Sequence, residues 1–157
     1  MKSLMPGVYW QDIAVGDRFR TMRRTITETD IINFVSVTGM LEEMFVDATF
    51  QAQGRGSIGG GRFAPAALTY TIIEGLLCQT LIQGTGLALL EVHKKVLAPV
   101  HAGDTVHAVV TIDGVRPTSK GNRAIVSATN EVFNQHGDKV MSYVAVRMLA
   151  GRDAPAG

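Results

Sequence analysis

The stretch PAALTYTIIEGLLCQTLI, running from Pro65 to Ile82, decides how the rest of the chain is read. Proline belongs in the first turn of a helix, where its missing N–H is no loss, and Gly84-Thr85-Gly86 supplies a stop. Between these marks the run is apolar nearly all round rather than along one stripe, as in a helix enclosed by other structure. Glu74, Gln79 and the hydroxyls of Thr69, Tyr70, Thr71 and Thr80 argue against a membrane span. The reading is a buried helix around which a sheet must wrap.

C-terminal to it the pattern turns to β. Leu87 to Leu97, Thr105 to Val115, Arg123 to Phe133 and Lys139 to Leu149 alternate or run apolar with β-branched residues. The breaks at Pro99 to Gly103, Pro117 to Gly121 and Asn134 to Asp138 are short enough to join antiparallel neighbours. A meander curled round the helix is the economical topology, so the expected class is α+β, an antiparallel sheet wrapped around a long central helix.

N-terminal to it, Phe19 to Ile26 reads as a strand. Thr27-Glu28-Thr29-Asp30 has the form of a capping box ahead of Ile31-Ile32-Asn33-Phe34-Val35, with Gly39 as the stop. Asp47 is placed to cap a second short helix through Gln51-Ala52, and Gly54 to Gly61 is too glycine-rich for regular structure. Residues 1–150 are expected to form one domain, followed by a frayed tail over 151–157.

Composition narrows the function. A chain of 157 residues can bury a core without staples, and Cys78, its only cysteine, rules out an internal disulfide. No His and Cys stand at zinc-ligand spacing, so neither a metal nor another cofactor is called for. The net charge of +1 is scattered, with no basic stripe to track a phosphate backbone, so no nucleic acid is expected. The N-terminus lacks the apolar run of a secretory leader, and a cytoplasmic setting is the expectation.

Four segments, in this order around the apolar helix, carry a resemblance: Asp12 to Asp17 (DIAVGD), Thr25 to Gly39 ending in Thr-Gly, Gly60 to Ala64 (GGRFA), and Leu97 to Thr105 (LAPVHAGDT). The chain resembles the MaoC-like dehydratase family, the (R)-specific enoyl-CoA hydratase group of hot-dog folds, from about Tyr9 to Leu149. The resemblance implies a hot-dog fold, usually paired as a double hot dog. It also implies a tunnel at the subunit interface for an acyl-CoA or acyl-carrier thioester.

The chain departs from the family where the chemistry sits. Family hydratases carry an Asp directly after the Thr-Gly pair and a His five residues later, which activate water for addition to an enoyl-thioester. Here the positions hold Met40 and Phe45, and neither side chain transfers a proton near neutral pH. The family also begins its central helix with His-Gly, whose Gly amide polarises the thioester carbonyl. Here the step is Pro65-Ala66, and Ala66 keeps an amide hydrogen.

The candidate catalytic groups are therefore Glu74, Glu42 and the Ala66 amide. Glu74 sits mid-helix, either as a working carboxylate or as one bonded at a subunit seam or to a strand. Glu42, with Glu43, lies in the loop that carries the family dyad, as a substitute base or a solvated charge. Met40 and Phe45, with Met44, either line a tunnel for a greasier acyl chain or pack the loop down. Arg55 and Arg62 flank the glycine loop as partners for CoA phosphates or as solubilising charges. The four histidines read as surface or packing residues, and Cys78 as an inert buried thiol.

Three functions remain open on this reading. The chain is an acyl-thioester-binding protein of hydratase ancestry in which hydration, if any, uses relocated carboxylates. Alternatively it is an acyl-CoA thioesterase using Glu74, or a non-catalytic subunit paired with an active paralogue. The first two act as a homodimer and the last as a heterodimer.

Overall fold

The elements of the computed structural model follow one another as β1 (Arg18–Arg20), β2 (Arg24–Thr25), α1 (Glu28–Thr38), α2 (Glu43–Val46), α3 (Ala66–Cys78), β3 (Gly86–Val96), β4 (Thr105–Pro117), β5 (Arg123–Phe133) and β6 (Lys139–Ala150). Residues 7–47, 49–50 and 61–153 are described. The strands form an antiparallel sheet in the order β1-β4-β5-β6-β3, with β2 also on β4. The hot-dog architecture expected from the sequence is present.

Local chemistry explains the first helix. The Thr27 hydroxyl accepts from the Asp30 amide at 3.1 Å, while the Asp30 carboxylate accepts from the Thr27 amide at 2.9 Å, so two orphan donors are satisfied reciprocally. These bonds hold the Asp30 carboxyl below the usual range, with Arg24 at 2.8 Å adding to the effect against the pull of burial. Gly39 ends α1 at φ 72°, a left-handed conformation that suits glycine.

Three expectations change in detail. The strand expected over Phe19 to Ile26 splits into β1 and β2. Thr21 interrupts it, donating its amide to Ala108 and accepting from the Ala108 amide at its hydroxyl. A short helix, α2, precedes Asp47, whose carboxylate accepts from the Thr49 amide and hydroxyl. Gln51 and Ala52, along with the glycine run to Gly60, lie outside the described residues. The long helix ends at Cys78, four residues before Ile82, because the chain tightens there into turns such as Thr80 N–H to Leu77 C=O. Pro65 stands one residue before α3 rather than inside its first turn.

The sheet is not a simple meander either. β4, β5 and β6 are sequential neighbours, but β3 crosses over and pairs with β6, from Val96↔Met141 to Gly86↔Leu149. The segment after β3 is tied elsewhere: Ala64 N–H bonds to Val100 C=O, and Ala102 N–H to Arg62 C=O. That anchoring next to the start of α3 directs the chain across rather than back. Gly151 and Arg152, within the segment expected to fray, carry hydrogen bonds, and residues 154–157 lie outside the described residues. Gly151 N–H reaches Asn122 C=O, and the Arg152 guanidinium sits 2.6 Å from Asp12.

The concave side of the sheet packs on α3. Ile72, Ile73 and Leu76 join Val106, Ala108, Val132 and Ala145 in one core cluster, and Leu77 joins Ile112, Val126 and Ala128 in a second. The opposite face of α3 stays open, with Thr71 and Cys78 exposed, so the thiol is not buried as expected. β3 has one bonded edge and is exposed along its whole length, Leu87, Leu89, Leu90, Val92 and Val96 included.

On the outer face, His107 stacks on Phe133 with centroids 5.7 Å apart. Burial pushes its pKa below the ordinary 6.5, and the nearby Arg23 and Arg20 push it further. The unfolded chain therefore binds the proton first on acidification. Stability from this site is complete above pH 6.5 and falls as the pH drops through that value. Urea unfolding between about pH 8 and pH 5 should show that fall, and His107→Phe should flatten it.

Candidate functional site

The site is best built from the helix outward. At the start of α3 the Ala66 amide points away from the helix body and has no acceptor among the described residues, as first-turn amides do not without a cap. Pro65 offers no side-chain cap. An amide at the positive end of a thirteen-residue helix is a ready binding point for an electron-rich oxygen. A cavity of about 40 Å³ opens beside it, walled by Ala64, Ala66, Thr69, Val96, Val100 and Met141 among others.

Two turns further along, Glu74 is fully engaged. The Tyr143 hydroxyl donates to its Oε1 at 2.7 Å, and the Arg147 Nη2 lies 2.5 Å from both carboxylate oxygens. The pair is largely shielded from water, with 15% of the Glu74 side chain and 8% of the Arg147 side chain exposed. Burial pushes the Tyr143 phenol far above its ordinary 10.0, and the neighbouring Glu74 charge pushes the same way. The phenol therefore remains a donor. Tyr70 meets Tyr143 edge-on with centroids 5.1 Å apart, and the Lys94 ammonium lies over the Tyr70 ring, 5.0 Å from its centroid.

The loop after α1 is organised around Phe45. Its ring is 9% exposed and belongs to the core with Val35 and Phe63. Arg62 holds the loop in place, donating from Nη1 to the Phe45 carbonyl at 2.6 Å and from Nε to Glu28 at 2.6 Å. Arg62 thus straps the loop to α1, and this use of its guanidinium competes with the phosphate contact foreseen for it. Met40 is 37% exposed and does not join Phe45 in a common wall. Glu42 precedes α2, exposed, with its carbonyl accepting from Phe45 N–H. Arg55 lies outside the described residues.

The sequence-level candidates therefore do not converge on one centre: Ala66 stands at the cavity, Glu74 is clamped in the helix–sheet seam, and Glu42 is on the loop. Arg147 and Tyr143 were not singled out. Their signal was an arginine at an inward position of an otherwise apolar strand, across from the one acid of an apolar helix. His101, expected as a surface or packing residue, has its Nδ1 3.7 Å from Asp104, packs its ring tilted on Phe63 at 4.7 Å, and keeps its Nε2 buried without a partner among the described residues. Among the described residues no group of three or more His, Cys, Asp or Glu is placed to hold a metal ion. No helix there is long and apolar enough to cross a membrane.

An antiparallel sheet closed over one helix, with an unsatisfied amide where that helix starts, defines a hot-dog protein of the dehydratase class. Solved structures agree. The MaoC-like dehydratase from Rhodospirillum rubrum superposes with a TM-score of 0.78 at 25% identity, over 94% of this chain and 100% of that one. A double-hotdog protein of Mycobacterium tuberculosis shares the fold, with a TM-score of 0.84 at 16% identity over 96% of this chain and 46% of that one.

The family model described as FAS1-like, dehydratase domain region, matches residues 13–143, and the chain belongs to that family, among the MaoC-like hot-dog dehydratases. It is also 38% identical over 60 residues to the mesaconyl-CoA hydratase of Cereibacter sphaeroides. That match takes in 38% of this chain and only 18% of the relative's length.

Removing one partner of the buried pair leaves the other charge uncompensated. Arg147→Met should therefore lower unfolding free energy by about 3–5 kcal/mol in urea titrations. Adding Glu74→Leu to that variant should recover most of the loss, as the helix–sheet seam becomes apolar on both sides.

Proposed function

We propose that this chain is an acyl-thioester-binding protein of the MaoC-like hydratase lineage that holds its ligand at the start of α3 without the standard water-activating dyad. The observation that carries the reading is the pairing of a free Ala66 amide with an apolar loop. The carbonyl anchor persists, while Phe45 is folded into the core and Met40 cannot move a proton. The ligand is an acyl-CoA or acyl-carrier thioester, a class supported by the hydratase relative.

Two hot dogs form the working unit. The exposed apolar edge of β3 and the open face of α3 both favour a second copy, since a long unpaired edge is a template for another strand. The Mycobacterium tuberculosis neighbour, whose single chain has a double hot-dog fold and is matched here over 46% of its length, supports the same arrangement. The partner is an identical subunit or a paralogue that keeps the Asp and His, and in the latter case this chain is the non-catalytic half. The setting is cytoplasmic, consistent with a single unpaired cysteine.

Thioesterase action is the weaker reading. It needs Glu74 to attack or to activate water, and Arg147 and Tyr143 already occupy its oxygens. Relocation of the base to Glu42 requires the exposed loop to reach the cavity.

Native mass spectrometry of the purified protein with saturated, enoyl and 3-hydroxyacyl CoA thioesters should show bound, unchanged ligands. Gain or loss of water would instead establish a relocated dyad, and release of free CoA that is lost in Glu74→Gln would establish a thioesterase. Val92→Lys, on the free edge of β3, should shift sedimentation from dimer to monomer.

A further inference from the structure

We propose that Thr69 is a positioning residue, whose hydroxyl donates to the carbonyl oxygen of the bound thioester beside the Ala66 amide. The inference rests on the thioester-binding reading above and adds a second donor to it.

Helical threonines normally dispose of their hydroxyl by donating to the carbonyl one turn back. Thr71 and Thr80 do so, to Ala67 and Leu76, each at 2.7 Å. Thr69 does not. It is 1% exposed, and its Oγ1 is buried with no hydrogen-bond partner among the described residues. A buried hydroxyl left unpaired is a cost to folding, and such a group calls for an explanation.

The surroundings supply one. Thr69 lines the same 40 Å³ cavity as Ala66, three residues earlier and so on the same face of α3. The Ala66 amide is also without an acceptor. Two donors flank one small chamber whose other walls include Val96, Val140 and Met141, with no charged side chain. A carboxylate or phosphate would be poorly compensated there, whereas a neutral carbonyl oxygen can take both hydrogen bonds. Size points the same way. One water needs about 10–15 Å³ by this measure, so the chamber admits a carbonyl group and a carbon or two, and the rest of the acyl chain lies outside.

The test compares butyryl-CoA with S-butyl-CoA, the thioether that lacks only the carbonyl, by calorimetric titration of the intact protein. Wild type should bind the thioester more tightly than the thioether. Thr69→Val, which keeps the shape, should cut that preference roughly two- to tenfold, the range of one neutral hydrogen bond, leaving the part due to the Ala66 amide, and Thr69→Ser should retain it in full. The melting temperature of Thr69→Val should hold or rise, because an unpaired hydroxyl has been removed.

Equal binding of the two ligands by wild type would overturn the inference and leave the binding function standing. So would a preference left undiminished in Thr69→Val, or a lowered melting temperature, which would mark the hydroxyl as structural. Binding of neither ligand would overturn the binding function itself and this inference with it.

Discussion

The contact on which the arrangement of this molecule turns is the ion pair between Glu74 on α3 and Arg147 on β6, with Tyr143 donating to the same carboxylate. A helix that is apolar nearly all round can rotate or slide against a sheet at little cost, since hydrophobic burial is non-directional. A directional contact with two partners on one strand removes that freedom. It fixes which face of α3 looks at the sheet and how far along β6 the helix sits. The position of the Ala66 amide and the Thr69 side chain beside the cavity follows from that placement, because both ride on the same rigid helix.

On the proposed reading, the loop after α1 keeps the family frame without its proton-transferring groups. A proton-transferring side chain must keep its polar atoms near substrate, and is therefore poorly placed to stabilise the core. Phe45 has no such requirement, and its ring joins Val35 and Phe63 inside. Arg62 then closes the loop by bonding to the Phe45 carbonyl and to Glu28. The loop is thus a packed and strapped element, while α3 offers its N-terminus, and the proposed retention of binding rests on that contrast.

Much of this was legible in the residues. The capping box at Thr27, the stop at Gly39 and the four long strands were all visible, because each rests on local chemistry or on short-range periodicity. The crossover of β3 to β6 was not, since a connection of moderate length is compatible with a hairpin and only the bonds from Ala64 to Val100 and from Ala102 to Arg62 exclude it. The same limit applied to the site. Met40, Phe45 and Ala66 could be placed from spacing, but the partners of Glu74 lie on a strand far along the chain. That Thr69, unlike Thr71 and Thr80, leaves its hydroxyl unbonded among the described residues is a matter of side-chain orientation, which no pattern of residue types encodes.

The exposed edge of β3 ties these points together. It is exposed along its length, and Val96 at its end is part of the wall of the cavity at the helix start. Whatever covers that edge therefore also borders the site. On the proposed reading, an adjoining subunit covers that edge and shapes the ligand's environment, so this chain need not carry its own proton-transfer groups for the assembly to be active. The apolar loop, the intact helix start and the unpaired strand are on this view consequences of one division of labour, in which this chain orients the thioester and leaves chemistry, where there is any, to its neighbour.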